Sequence, residues 1–175
     1  MKKKSTDFMG KGILLSLILI ILNLIGGFAH LLFETWFKWL PSIIILVVII
    51  IFCIQYGKQE TDGMTFGKAF GYGFKISLVV SILTAIYGLI SILFIFPEFM
   101  DQTLQQARAA MEAKGTYTED QIDQGMAISK KFMQPLPFAL FAFLGSLFIC
   151  TISSLLGAAF TKKSEPEPAI FKDNP

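Results

Sequence analysis

Charged residues are scarce in this sequence: Asp, Glu, Lys and Arg make up only 16% of its 175 residues, where a soluble domain carries about 25%. Four windows contain no charged residue at all: residues 12–33, 40–57, 76–96 and 134–161. A helix needs ~20 mainly apolar residues to cross the ~30 Å hydrocarbon core of a bilayer. The sequence therefore predicts an all-α, polytopic membrane protein with four transmembrane helices.

Histidine and cysteine are also rare, with one His and two Cys in the chain. A single histidine excludes a His-rich metal site, and there is neither a Cys–His cluster nor a Gly-x-Ser-x-Gly nucleophile elbow. Cys53 and Cys150 fall inside predicted spans and are interpreted as small apolar residues. We predict no catalytic residue, no cofactor and no metal, hence a protein that is not an enzyme, and no nucleic-acid partner.

The predicted spans and the segments between them differ sharply in composition. The spans are placed at about residues 9–33, 40–56, 68–96 and 138–161. Residues 1–8 form a basic leader, and residues 162–175 are predicted to be a disordered tail. Glu34 to Trp39 are interpreted as an aromatic turn at the membrane surface, with Pro41 in the first turn of span two.

Residues 98–134, between spans three and four, are rich in Gln, Ala, Glu and Lys. Apolar residues recur there every three or four positions, which predicts a helical hairpin outside the membrane or extensions of the two adjoining spans. Gly115 can end the first of these helices, and Thr118 with Gln121 can form a capping box on the second. Pro135 and Pro137 are predicted to break the chain before span four.

Positive charge sets the orientation of membrane proteins through its excess on the cytoplasmic side. Residues 1–11, 57–75 and 162–175 hold ten of the fifteen Lys and Arg residues, whereas residues 98–134 hold four basic and six acidic residues. This distribution predicts cytoplasmic N- and C-termini. An alternative is a signal peptide cleaved after Ala29, although apolar residues continue to Phe33 and complete a full span.

Span one carries a polar stripe, because Ser16, Asn23, Gly27, His30 and Glu34 are spaced seven, four, three and four apart. On a continuous helix these residues share one face. One hypothesis is a path ending in a His30–Glu34 pair that relays protons or senses pH. The other is helix packing in the span and two interfacial residues near water, which we favour because no second intramembrane charge is present to receive a proton.

Small residues recur every three or four positions on spans three and four. Either series can be a packing seam in which small residues bring backbones together, and we expect the two to face each other or a second copy. The alternative is a hydrophilic pore lined by span three. Gly67 and Gly71 are interpreted as further packing at the start of span three. The two series are Ser77, Ser81, Thr84, Gly88 and Ser91 on span three, and Ala142, Ser146, Cys150, Ser154 and Ala158 on span four.

The link between spans two and three contains Tyr56-Gly57-Lys58 and Asp62-Gly63-Met64-Thr65-Phe66-Gly67-Lys68-Ala69-Phe70. Together with Pro97-Glu98-Phe99 and Thr118-Glu119-Asp120-Gln121-Ile122, this link resembles a small bacterial membrane family known as domain of unknown function 4199. The similarity extends from about residue 8 to residue 161. It implies four spans in a bacterial inner membrane and assigns no catalytic or binding residue.

The sequence thus favours a non-enzymatic interaction or accessory protein. Besides the lipid bilayer, we expect as partner a second copy or another membrane protein, bound through the outer hairpin 98–134. The alternative function is a small transporter or channel component with a path along the Ser/Thr residues of span three.

Overall fold

The computed structural model describes residues 7–60 and 63–162. These residues form six α-helices and one π-helical turn, with no β-strand among them. The helices are α1 (Phe8–Phe28), α2 (Thr35–Gln59), α3 (Phe66–Ile90), α4 (Phe99–Ala113), α5 (Glu119–Phe132) and α6 (Pro135–Phe160), and the π-helical turn (Ser91–Ile95) follows α3 directly. Most of the predicted leader and tail lies outside the described residues.

Four helices are long and apolar enough to span a membrane: α1, α2, α3 with its π-helical turn, and α6. The prediction of an all-α protein with four membrane-spanning helices is confirmed. Many large apolar side chains on these helices are exposed on the surface of the protein, as expected of a surface that contacts lipid instead of water.

The described chain divides into two compact units. The four-helix unit contains α1, α2, α3 as far as Ser81, and α6 from Ser146 onward. The α4–α5 unit runs from Ile82 to Gly145 and contains the end of α3, the π-helical turn, α4, α5 and the start of α6.

The core of the four-helix unit receives side chains from all four of its helices. Leu15 of α1, Ile49 of α2, Ile76 of α3 and Cys150 of α6 are fully buried members of one cluster. Side chains from α1, α2, α3 and α6 thus meet in one buried cluster.

Helix α1 ends five residues before the predicted end of span one. Ala29 is its C-cap, and His30 follows in the left-handed conformation with φ 57°. Leu31 N donates to Gly26 O at 2.8 Å and His30 N donates to Gly27 O at 3.2 Å, the two hydrogen bonds of a Schellman motif. His30 occupies the place that glycine usually takes, and this motif stops the helix inside the uncharged window.

The starts of α2 and α6 also differ from the predicted boundaries. The aromatic segment before span two is helical, because α2 begins at Thr35, and Pro41 therefore lies inside the helix. Phe37 is buried and its ring lies directly against Gly26, which stabilises this early start. Pro135 begins α6 instead of preceding it, since a proline in the first helical turn lacks only an N–H that has no partner in the helix.

Candidate functional site

A close polar contact joins α3 and α6 in the four-helix unit. Ser77 Oγ lies 2.9 Å from Ser154 Oγ, and both residues are 0% exposed. Ser77 Oγ also lies 3.0 Å from Gly73 O, and Ser154 Oγ lies 2.8 Å from Cys150 O. Two hydroxyl protons serve three contacts, so one serine donates to its own helix while the other can donate across the interface.

One turn along α3, Ser81 lies beside Cys150 of α6. Ser81 and Cys150 are both 0% exposed, and their side chains are close enough to interact. We call these four residues, Ser77, Ser81, Cys150 and Ser154, the serine seam. Ser77 and Ser154 contact each other and a backbone carbonyl of their own helices, as buried hydroxyls require.

Cys53 of α2 packs against this seam between two glycines. A Cβ atom on Gly73 would lie 2.9 Å from both Cys53 Sγ and Ser154 Oγ, and a Cβ atom on Gly157 would lie 2.9 Å from Cys53 Sγ. Cys53 Sγ also lies 3.8 Å from Ala69 O, to which it can donate. The absence of side chains at Gly73 and Gly157 therefore lets α2, α3 and α6 meet.

The glycines expected to pack at the start of span three do not do so. At Gly67 and Gly71, no atom of the described residues lies within 4 Å of a built Cβ atom. The helices pack closely at Gly73 and Gly157 instead, two glycines that were not predicted to pack. The available signal was their spacing from the serines, since Gly73 precedes Ser77 by one turn and Gly157 follows Ser154 by three residues.

The remaining members of the two small-residue series lie outside the close packing of the serine seam. Ala158 is buried beside Met64 and Ala69, and Ser146 is half-buried. In the α4–α5 unit, Thr84 is half-buried and Ala142 is exposed, and no described atom lies within 4 Å of a Cβ atom built on Gly88. The small-residue pattern thus continues along α3 and α6 beyond the region where it mediates close contact.

Ser91 lies where α3 becomes π-helical. It is buried and hydrogen-bonded to the Tyr87 side chain, and Phe96 N donates to Ser91 O at 2.7 Å. This backbone bond spans five residues, as in a π-helix, and such turns are frequent at functional sites.

The polar stripe predicted on span one is not continuous. Ser16 is buried and donates to Gly12 O at 2.8 Å, and Asn23 is half-buried on the same helix. His30 and Glu34 are exposed and lie beyond α1, His30 in the connecting loop and Glu34 as the N-cap of α2. The five residues therefore do not share one helix face, because the Schellman motif ends α1 first.

Lys11 of α1, which the sequence shows only as one of the basic residues near the N-terminus, makes specific contacts in the structure. Its Nζ lies 3.3 Å from Gln55 Oε1, 4.9 Å from the centroid of the Phe52 ring and 5.5 Å from that of Tyr72. An ammonium group over aromatic rings is stabilised by their electron-rich faces. The available signal was a lysine one turn inside an apolar helix, where it needs a polar or aromatic partner.

In the α4–α5 unit, an ion-pair network joins the two helices for which the unit is named. Arg108 Nε lies 2.8 Å from a Glu112 oxygen, and Arg108 Nη1 lies 3.1 Å from an Asp123 oxygen on α5. Its hydrogen bond to Glu112, followed by the charge of Asp123, raises the pKa of Arg108. The predicted capping box is present, with Thr118 Oγ1 accepting from Gln121 N and Thr118 N donating to Gln121 Oε1.

Helix α4 buries none of its residues. One side of α4 packs partially. It includes Met111, whose terminal methyl carbon would lie 3.6 Å from a Cβ atom added at Gly125 of α5. The other side is exposed and contains no charge along its centre. Four residues spaced four, three and four apart define it, and we call it the α4 face: Gln102, Gln106, Ala109 and Ala113.

Among the described residues, no group of three His, Cys, Asp or Glu side chains could hold a metal ion. A family model described as "Protein of unknown function (DUF4199)" matches residues 11–163. No curated protein and no solved structure matches the chain. The family match covers most of α1 and every later helix.

Proposed function

The chain belongs to the DUF4199 family of proteins of unknown function, and from this premise we propose that it is a non-enzymatic membrane interaction protein. Its recognition surface is the α4 face, and the occupant is the same face of a second copy. The observation that carries the proposal is this exposed, uncharged row of amide and small side chains on a helix held in place by the Arg108 network.

Self-association suits the chemistry of the α4 face. A Gln amide is both donor and acceptor, so Gln102 and Gln106 can bond to the same residues of another copy. Ala109 and Ala113 allow the backbones of two helices to approach closely, and the four-three-four spacing is that of a helix–helix seam. With no charge along its centre, the face brings no like charges together when it meets itself.

Photo-crosslinking in native membranes tests this proposal. A benzoylphenylalanine at position 106 should yield a discrete product with twice the mass of the chain. The substitution Ala109→Lys should lower the yield of this product at least ~tenfold, equivalent to ~1.4 kcal/mol of association free energy, because a buried lysine would meet its own copy.

The matched control is Ala127→Lys, which changes an exposed alanine of α5 and should leave the product unchanged. A product with a different mass at position 106 would show that another membrane protein occupies the face, and self-association would be wrong. Monomer alone from position 106 would overturn the interaction surface itself.

We also propose that the protein lies in a bacterial inner membrane with both termini in the cytoplasm and with α4 and α5 on the outer side. The support is the distribution of charge, since residues 1–11, 57–75 and 162–175, which we assign to the cytoplasmic side, hold ten of the fifteen basic residues. In this orientation Lys58, at the end of α2, faces the cytoplasmic leaflet, whose anionic lipids attract it.

A further inference from the structure

Helix α5 has two apolar faces instead of one. Ile122 and Met126 are buried within the α4–α5 unit. Ile128 and Phe132, one turn apart, are instead 58% and 52% exposed. At 100° per residue these two side chains point about 120° away from the buried pair. We call Ile128 and Phe132 the second face of α5, and its large apolar side chains need a cover other than water.

A ring contact connects this second face to the membrane-spanning surface. The Phe132 and Phe141 rings are edge-to-face, with centroids 5.6 Å apart and planes 74° apart. Phe141 belongs to α6, and its neighbours Leu136, Leu140 and Leu144 are also exposed. Because α6 is a candidate span, these side chains contact lipid, and the second face of α5 continues the same apolar surface.

The charges beside this face fit a bilayer surface. Lys130 and Lys131 form the basic last turn of α5, and Lys131 adjoins Phe132. A lysine next to an aromatic anchor places its ammonium group among lipid phosphates while its stem remains apolar. The acidic residues lie nearer the other end of α5, with Glu119 and Asp120 in its first turn and Asp123 paired with Arg108. Apolar and basic residues thus gather at the end of α5 that joins the span.

We propose that the C-terminal half of α5 lies in the membrane interface, with Ile128 and Phe132 inserted among the acyl chains and Lys131 at the phosphates. The α4–α5 pair then rests against the bilayer instead of standing free of it. This contact directs α5 toward lipid and leaves the α4 face available to a partner. It is independent of self-association, since it requires only one copy of the chain.

Spin labelling in phospholipid nanodiscs tests this placement, with one full-length chain per disc. Labels are attached singly to Ile128→Cys and Phe132→Cys, in a background with Cys53→Ala and Cys150→Ala. Both positions should lose relaxation by an aqueous nickel reagent and gain relaxation by oxygen, which is enriched among acyl chains. The matched control is Ala127→Cys, an exposed neighbour about 120° around the helix from the second face,, which should respond to nickel.

Each other pattern contradicts the proposal. Strong relaxation by nickel at positions 128 and 132 would place the second face in water. Protection from both reagents would mean that protein covers it. Because each disc holds one copy, a positive result cannot arise from pairing of the α4 face. A failed crosslink at position 106 would leave the spin-label result unaffected.

Discussion

Cys53, Gly73 and Gly157 form a close contact between α2, α3 and α6 in the four-helix unit. We predict that Gly157→Ala destabilises the protein by about 1–3 kcal/mol, the usual cost of adding a methyl group to a packed core. The added Cβ atom would lie 2.9 Å from Cys53 Sγ and 3.2 Å from Ile50 Cα. The backbone atom Ile50 Cα cannot yield as a flexible side chain can. Unfolding by denaturing detergent, followed by circular dichroism, measures the loss.

Gly71→Ala is the control for this substitution. It adds the same methyl group to a glycine of α3 where no described atom lies within 4 Å of the new Cβ atom. Its effect should be neutral or stabilising by up to ~1 kcal/mol, because alanine favours the helix. Equal losses from both substitutions would show that Gly157 is not a point of close helix contact.

The sequence alone identified the serines of this contact but not its glycines. Small residues at four-residue spacing predict that some helix face packs closely, and Ser77 and Ser154 do meet. The same pattern includes Gly88 and Ala142, which are not closely packed. The part of a small-residue series that lies in contact depends on where two helices cross and on how each is rotated about its axis. The spacing of residues along one helix determines neither.

The end of α1 gives a second stability prediction. His30 holds a left-handed conformation with φ 57°, which costs a non-glycine residue about 1–2 kcal/mol. We therefore expect His30→Gly to preserve the Schellman motif and to raise the free energy of unfolding by up to ~1 kcal/mol, part of the gain being lost to the greater freedom of glycine in the unfolded chain. Thermal unfolding in detergent measures the change.

His30→Val is the contrasting variant, because a β-branched residue tolerates positive φ poorly. It should destabilise the protein by ~1 kcal/mol or more, although it too removes the imidazole. If His30→Gly instead destabilised the protein as much as His30→Val, the imidazole itself would be required, and the role of His30 as a helix stop would be wrong.

Uncharged windows were sufficient to predict four spans, because length and apolar character decide whether a helix can cross a bilayer. They were insufficient to place the ends of the helices. At α1 the hydrogen bonds to Gly26 and Gly27 stop the helix inside its window, and at α2 the packing of Phe37 against Gly26 accompanies an early start. Capping sets the end of α1 and tertiary contact the start of α2. A hydropathy pattern contains no information on either effect.

For the molecule as a whole, the serine seam bears on the choice between an interaction protein and a channel. A conducting path along α3 would have to wet Ser77 and Ser81, yet both are 0% exposed. Ser77 contacts Ser154 and a backbone carbonyl, and Ser81 contacts Cys150. Water would have to break these contacts and separate α3 from α6. The arrangement supports a dry seam, and the same thiol-labelling experiment can test both this dryness and the orientation of the protein.

Single cysteines are introduced by Lys114→Cys, Lys58→Cys and Ser81→Cys, with Cys53 and Cys150 replaced by alanine. A membrane-impermeant maleimide added to intact spheroplasts should label position 114, which lies outside in the proposed orientation. Position 58 should react only after the membrane is opened, since positive charge retains its segment in the cytoplasm. Position 81 should stay unlabelled in both conditions and react only after denaturation, because the serine seam excludes water.

Labelling of position 58 in intact spheroplasts with position 114 protected would reverse the proposed orientation and leave the seam untouched. Labelling of position 81 in folded protein would show water between α3 and α6 and favour a transport path over the interaction role. A further variant, Ser77→Cys, keeps this second result decisive if the cysteine at position 81 disturbs local packing. If a continuous water path reached residue 81, the maleimide would also label a cysteine at position 77 one turn away. A local packing defect would expose only one of the two positions.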